Sequence, residues 1–253
     1  TPSMIYIPQK IDDYTVTGLG KSLFSGYSNV NFIEIPDTIT TIGEKTFYNC
    51  KNLKEVKSPN NLIKIGESAF WSCYDLEELN LPDSLIEIGT QAFSSCESLK
   101  EISIPKTITV IEWGTFSYCH KLSEVELPRD LIEIEDWAFE ECISLKNIQF
   151  PDSLENIGNG AFYYCIGLEK IVIPKNVVSI GTYAFDYCNE LESIVVDEEN
   201  AVYDSRDNCN ALIETESNRL IRGPCNTTEV PETVKIIGRN VFARIGKLTK
   251  LVI

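Results

Sequence analysis

Several kinds of residue are scarce in this 253-residue chain, and each scarcity excludes a class of function. Histidine occurs once, and 22 Lys and Arg stand against 38 Asp and Glu, which gives a formal net charge of −16. Such a charge repels nucleic acids and anionic lipid surfaces, so we expect neither as a partner. No stretch approaches the ~20 apolar residues of a transmembrane helix, and membrane insertion is therefore not expected.

Catalytic and targeting signals are scarce too. His120 is the single candidate for a histidine base, and the chain has neither a glycine-rich phosphate loop nor a histidine-containing metal motif. The first residues, TPSMIYIPQK, contain no charged segment followed by a long apolar run, so we expect no signal peptide in this chain. The sequence thus predicts no enzyme, no metal site and no cofactor.

A repeat of 23 residues dominates what is present. Cysteine recurs at this interval, and proline and phenylalanine keep the same step. The cysteines are Cys50, Cys73, Cys96, Cys119, Cys142, Cys165 and Cys188. A fixed period of this length is typical of a solenoid, in which each coil buries its apolar side only against its neighbours.

One full unit, LEELNLPDSLIEIGTQAFSSCES, covers residues 76–98. Leu76, Leu79 and Leu81 have the spacing L-x-x-L-x-L of a short strand, and Pro82 ends its hydrogen bonding. Leu85 and Ile88 turn the chain back, while the Ala-Phe pair and the cysteine supply the far wall. Glutamate replaces the glycine of other coils at Glu112 and Glu135, which predicts that this position does not require a positive φ.

The period is broken once. Phe185 to Phe242 spans 57 residues, which is 23 plus 34, so about 34 residues are inserted. We expect an irregular amino-terminal cap at residues 1–30, regular repeats at 31–196, an insertion at 197–229 and an incomplete last repeat at 230–253. Within the insertion, NALIE and RLIRG flank the turn-prone ESN, which predicts a β-hairpin projecting from the solenoid.

The pattern L-x-x-I-x-L-P-x-x-L-x-x-I-G-x-x-A-F-x-x-C resembles the BspA-like class of leucine-rich repeats, over nearly the whole chain. The resemblance implies a right-handed leucine-rich-repeat solenoid with short parallel strands on its concave face, an irregular or short helical convex side and one inserted hairpin. It also implies a bacterial-type protein at the cell surface or outside the cell, concerned with adhesion or binding, and it implies no reaction.

The cysteines divide into two groups. One thiol per coil does not give the clustered ligands of a zinc site, so we expect the seven periodic cysteines to be buried thiols. Cys209 and Cys225 lie outside the period, equidistant from Ser217 at the predicted hairpin tip. They are a candidate disulfide, which in the oxidising setting implied by the resemblance would stabilise the fold by about 3 kcal/mol, and the alternative is two packed thiols.

Alternate strand positions point outward, which predicts a candidate binding face. One outward column contains Glu55, Glu78, Glu101 and Glu124, and a second contains Glu126. Like charges at strand spacing repel, so either lysines such as Lys57 and Lys100 screen them or the column awaits a cationic partner.

These features favour a non-catalytic adhesion module that holds a protein, possibly basic in character, on its concave face and hairpin. A glycan is a lesser candidate, because aromatic residues such as Tyr118, Tyr164 and Tyr187 share one position on the opposite side. The alternatives are a structural spacer that presents other domains and, less favoured, a glycan-active enzyme, which would need two carboxylates converging in a pocket.

Overall fold

The computed structural model describes residues 3–225 and 230–242, and it is a solenoid built from parallel strands. The predicted fold class is confirmed. All regular coils but the one that contains Asn147 contribute a strand to the concave face, and the amino-terminal segment adds one more. These strands are β1 (Ser3–Tyr6), β5 (Val30–Glu34), β7 (Glu55–Lys57), β9 (Glu78–Leu79), β11 (Glu101–Ser103), β13 (Glu124–Glu126), β16 (Lys170–Ile173) and β18 (Ser193–Val196).

A second ladder of two-residue strands, which the sequence reading did not predict, runs beside the first. In the regular coils, each of its strands ends at the isoleucine that precedes the Gly or Glu position, and β-branched side chains suit a half-buried extended backbone. Its members are β4 (Gly18–Leu19), β6 (Thr41–Ile42), β8 (Lys64–Ile65), β10 (Glu87–Ile88), β12 (Val110–Ile111), β14 (Glu133–Ile134), β15 (Asn156–Ile157) and β17 (Ser179–Ile180). Among the described residues, both ladders are interrupted between the same two coils, at β9/β11 and at β10/β12.

Columns of identical side chains fill the core. Phe47, Phe70, Phe93, Phe116 and others of the column are fully buried. Neighbouring rings are stacked, with centroids 5.5 Å apart between Phe93 and Phe116 and 5.3 Å apart between Phe116 and Phe139. One coil alone could not cover such a ring, so folding depends on stacking.

The convex side is irregular and carries no helix among the described residues of the regular coils. In each coil, the residues two positions before Phe and one position before Cys have positive φ, as at Gln91 (55°) and Ser95 (60°). This backbone turns alternate amides toward the next coil, where Phe93 N donates to Thr115 O at 2.9 Å and Ser95 N to Ser117 O at 2.7 Å. A third hydrogen-bonded ladder therefore closes the coil.

Most coils have glycine directly after the strand of the second ladder. The reason is the close approach of the preceding coil and not a positive φ. The φ of Gly158 is not positive, but a Cβ there would lie 2.4 Å from Asp136 N and 2.5 Å from Glu135 C. Glu112 and Glu135 also have ordinary negative φ, because neither is among the positive-φ residues. The prediction that this position does not require positive φ is confirmed.

The two irregular regions join the stack. Near the amino terminus, β2 (Lys10–Ile11) and β3 (Tyr14–Thr15) form an antiparallel hairpin between β1 and β4. The insertion contains β19 (Tyr203–Asp204), a 3-10 helix (Arg206–Asn208), β20 (Leu212–Glu214) and β21 (Arg219–Arg222), and it is followed by β22 (Ile236–Ile237). Its hairpin, β20–β21, is antiparallel as predicted.

The hairpin does not project, and the prediction that it would is wrong. β21 pairs in parallel with β22, and Gly238 N donates to Leu220 O at 2.8 Å, the same bond that joins regular coils. Leu212, Ile213 and Leu220 are buried, so the apolar residues of the hairpin hold it in the stack. The end of the last coil, residues 243–253, falls outside the described residues. No helix in the described part is long and apolar enough to cross a membrane.

Candidate functional site

The concave strands present their acidic residues to solvent as the period-two rule requires. Glu55 and Lys57 are exposed on either side of buried Val56, and Glu101 and Ser103 flank buried Ile102 in the same way. The remaining acids of the predicted binding face are also exposed; they are Glu78, Glu124 and Glu126.

Strand register brings like charges side by side. Glu55 lies directly opposite Glu78 in the β7/β9 pair, and Glu101 lies opposite Glu124 in the β11/β13 pair. Directly opposed like charges destabilise a sheet. We call the four residues Glu55, Glu78, Glu101 and Glu124 the acidic column.

The two lysines proposed to screen the acidic column are engaged elsewhere. Lys57 Nζ lies 2.5 Å from Glu34 Oε1, and Lys100 Nζ lies 2.6 Å from Glu77 Oε2. Those hydrogen bonds are the main reason that the pKa of each lysine is raised, although Glu78 and Glu101 also raise the pKa of Lys100 to a smaller extent. Among the described residues, no ion pair within 4 Å includes a member of the acidic column.

A groove of about 1070 Å³ lies along the concave face and contains most of these acids. Glu78, Glu101, Glu124 and Glu126 line it, whereas Glu55 lies outside it. Glu126 accepts a hydrogen bond from Ser103 Oγ at 2.8 Å. Lys146 and Arg129 are the cationic side chains among the lining residues, and they lie on the coils toward the carboxyl-terminal side.

An apolar floor in this groove was not predicted. The strand ladder stops after β13, and the next coil contributes only a single bridge, between Asn147 and Lys170. At this interruption Leu127 and Phe150 are only half-buried and line the groove. Phe150 occupies a position where most other coils have Ile or Leu, and that larger side chain was the available sequence signal.

The seven periodic cysteines are buried thiols, as predicted. Each sulfur donates to the carbonyl of the phenylalanine in the preceding coil, as Cys96 Sγ does to Phe70 O at 3.3 Å. Burial raises the pKa of Cys50 to about 11 and the pKa values of Cys119 and Cys188 to about 12. A thiol that stays protonated and hydrogen-bonded in the core is not a nucleophile or a metal ligand at neutral pH.

Cys209 and Cys225, the candidate disulfide, are both thiols in the structure, with no bond between them. Cys209 is half-buried at the end of the 3-10 helix, and burial raises its pKa. Cys225 is buried, and its amide donates to Leu191 O at 2.6 Å. On one side β20 begins only at Leu212, after Asn210 with its positive φ of 52°, and on the other side Gly223-Pro224 follow β21, so the hairpin does not extend to the two cysteines.

The convex aromatic residues form a chain of ring contacts. Tyr163 contacts Trp137 at 5.6 Å and Tyr187 at 5.0 Å between centroids, and Tyr164 contacts Tyr187 at 5.7 Å. His120 lies between two carboxylates on the same side, 3.7 Å from Glu97 and 3.7 Å from Glu141. Within the described residues, no group of three or more His, Cys, Asp or Glu is placed to hold a metal ion.

One protein family matches most of the chain. The model of the BspA type leucine rich repeat region matches six copies, over residues 17–130 and 110–211. A search of curated proteins gives no match.

Three solved structures illustrate the likeness. A leucine rich cell surface protein from Faecalibacterium prausnitzii is 33% identical with a TM-score of 0.66, and the match covers 91% of this chain and 58% of that one. A leucine-rich repeat protein from Bacteroides ovatus is 25% identical with a TM-score of 0.57, over 98% and 86% of the two chains. The T. pallidum leucine rich repeat protein is 26% identical with a TM-score of 0.55, over 75% and 78%. This chain therefore spans little more than half of the Faecalibacterium protein.

Proposed function

This chain belongs to the BspA-type leucine-rich-repeat family, and from that premise we propose that it is a non-catalytic binding module that holds a protein partner on its concave face. The observation that carries the proposal is the acidic column, whose carboxylates are exposed, opposed in register and without ion pairs among the described residues. Repeat proteins commonly use such extended concave surfaces for binding.

The chemistry of the groove favours a basic segment of that partner. Lysine or arginine side chains would relieve the repulsion between Glu101 and Glu124, which lie opposite each other. The half-buried side chains of Leu127 and Phe150 would receive an apolar residue of the same segment. A negative field of this kind also steers basic partners and speeds their association at low salt.

We further propose that the protein works at the cell surface or outside the cell. The support is the Faecalibacterium relative, which is described as a cell surface protein. Adhesion would then be the cellular role, and the concave face of this chain would supply a binding surface for it.

The test is a charge reversal with a matched control. A variant carrying Glu55→Lys, Glu78→Lys, Glu101→Lys and Glu124→Lys is compared with one in which four exposed acids of the loops after the prolines become lysine. The control acids are Asp83, Asp130, Asp152 and Glu155. Both variants change the net charge equally, and none of the eight positions lies in the core.

Binding of a synthetic lysine-rich peptide is measured by calorimetry at low and at moderate salt. Wild type and control should bind it, more weakly as salt screens the field, since the Debye length is ~10 Å at 0.1 M. The acidic-column variant should lose at least about tenfold in affinity. Equal affinity of both variants, or no binding by wild type, would contradict the proposal and leave the spacer role as the better account.

A further inference from the structure

A second and smaller pocket lies where the insertion meets the regular coils. Its volume is about 170 Å³, and three arginines line it, namely Arg219, Arg222 and Arg239. This concentration of positive charge is unexpected in a chain with a net charge of −16. The pocket is distinct from the concave groove, with which it shares no lining residue.

Arg222 is the unusual member, because its side chain is buried, with 2% exposure. Its Nη1 donates to Asn240 O at 3.2 Å and its Nη2 to Cys188 O at 3.4 Å, so both partners are neutral carbonyls. Its Nε has no hydrogen-bond partner, and among the described residues the guanidinium forms no ion pair. A buried charge without a counter-charge is costly, and an anion in the pocket would compensate it.

The other two arginines are exposed at the rim of the pocket. Arg239 lies over the ring of Tyr183, with 5.5 Å between Cζ and the centroid, which holds the guanidinium beside an aromatic wall. The buried hydroxyl oxygen of Tyr203 accepts a hydrogen bond from Ile180 N at 2.9 Å, so the hydroxyl proton remains available for donation to a ligand. Both side chains therefore add hydrogen-bond donors to the cavity wall.

Two carboxylates also line the pocket, and each already accepts a hydrogen bond. Asp186 accepts from Asn240 Nδ2 at 2.9 Å, and Glu214 accepts from Ser217 Oγ. Three guanidinium groups against two carboxylates leave a surplus of one positive charge, which matches a singly charged anion. The remaining lone pairs of the two acids can accept hydroxyl protons from a ligand.

We propose that this pocket binds a small hydroxylated carboxylate, with an acidic sugar unit of the hexuronate type as its representative. Its carboxylate would lie against the Arg222 guanidinium, whose planar donors match two carboxylate oxygens. Its ring would face Tyr183, and its hydroxyls would reach Asp186 and Glu214. A cavity of about 170 Å³ has room for one such unit.

The experiment titrates glucuronate, glucose and sulfate into the folded protein, followed by NMR. Glucuronate should bind with a Kd of about 1 mM, the level expected for a single small ligand. Glucose, which differs by lacking the carboxylate, should not bind measurably, and sulfate should bind more weakly because of its second charge. Binding of glucose as strong as that of glucuronate, or tighter binding of sulfate, would overturn the proposal.

Variants at the rim separate binding from folding. Arg239→Gln and Arg219→Gln change exposed side chains, so the fold should survive, while glucuronate affinity should fall at least about fivefold. Arg222→Lys, which keeps the charge but not the planar fork, should also weaken binding. Arg129→Gln is the matched control, because Arg129 is exposed in the concave groove and away from this pocket. The affinity of this variant for glucuronate should equal that of wild type.

The result that would refute the proposal is glucuronate affinity unchanged in both rim variants, or no glucuronate binding by wild type. Neither result bears on the concave face, because the cationic lysine-rich peptide is expected at the acidic groove, whereas the anionic glucuronate is expected at the arginine-lined pocket. The two proposals therefore fail independently.

Discussion

Gly160→Ala is expected to destabilise the fold by much more than the same substitution at Gly114. Both glycines occupy the position two residues before the core phenylalanine, and both have positive φ, 58° and 59°. They differ in what a Cβ would meet. At Gly160 it would lie 2.3 Å from Cζ3 of Trp137, whereas at Gly114 the nearest atom is Gln91 Cγ at 3.2 Å.

The magnitudes follow from these two environments. Left-handed backbone costs a residue with a Cβ about 1 kcal/mol, and that is the whole cost expected for Gly114→Ala. In Gly160→Ala the new Cβ must also push the Trp137 ring away from Tyr163, which it contacts at 5.6 Å between centroids. This overpacking costs about 2 kcal/mol in addition. The total for Gly160→Ala is then about 3 kcal/mol.

Urea unfolding followed by circular dichroism measures both variants, with equal m-values as the check that the unfolding transition is the same. Trp137→Gln provides the double-mutant cycle, since Gln91 shows that glutamine fits this position with φ of 55°. In that background Gly160→Ala should cost only about 1 kcal/mol, as Gly114→Ala does. Equal costs of Gly160→Ala with and without Trp137, or a cost as small as that of Gly114→Ala, would refute the reasoning.

Three further predictions concern the core and the absence of turnover. Burial raises the pKa of Cys119 from 9.0 to about 12, so the protonated thiol stabilises the fold fully below pH 9 and progressively less as the pH rises toward 12. Cys119→Ala should therefore reduce the fall of the urea midpoint between pH 9 and pH 12. The same fall in the variant as in wild type would contradict this prediction. Phe116→Ala should cost about 3–5 kcal/mol because the ring is fully buried between two stacked neighbours, and a loss below about 1 kcal/mol in the same assay would contradict column packing. Screening against glycosides, esters and peptides should show no hydrolysis, and activity abolished by changing a single Asp or Glu would show the opposite.

The repeat made most of the fold predictable. A column such as Phe93, Phe116 and Phe139 can be read directly from a 23-residue step, because each coil repeats the environment of the one before it. The outward direction of Glu101 and Glu124 followed from strand alternation, and their exposure agrees with it.

The parts that could not be predicted depend on contacts between coils that are not identical. The hairpin joins the stack through the β21/β22 pairing, which spacing alone does not reveal. The burial of Arg222 results from that same docking and had no sequence signal, since a single arginine in a hairpin is ordinarily exposed. The ion pair between Lys57 and Glu34 could not be predicted either, because several other acids lie near Lys57 in the sequence and in the adjacent coils.

The central claim is that the concave face is the binding surface, and hydrogen–deuterium exchange with and without the lysine-rich peptide tests it most directly. Protection on binding should be confined to the concave face and should include β7, β9, β11 and β13, the strands that carry the acidic column. The β19 to β21 part of the insertion, residues 203–222, and the convex aromatic residues should exchange as in the unbound protein. Protection in those regions, with the four concave strands unchanged, would contradict the account.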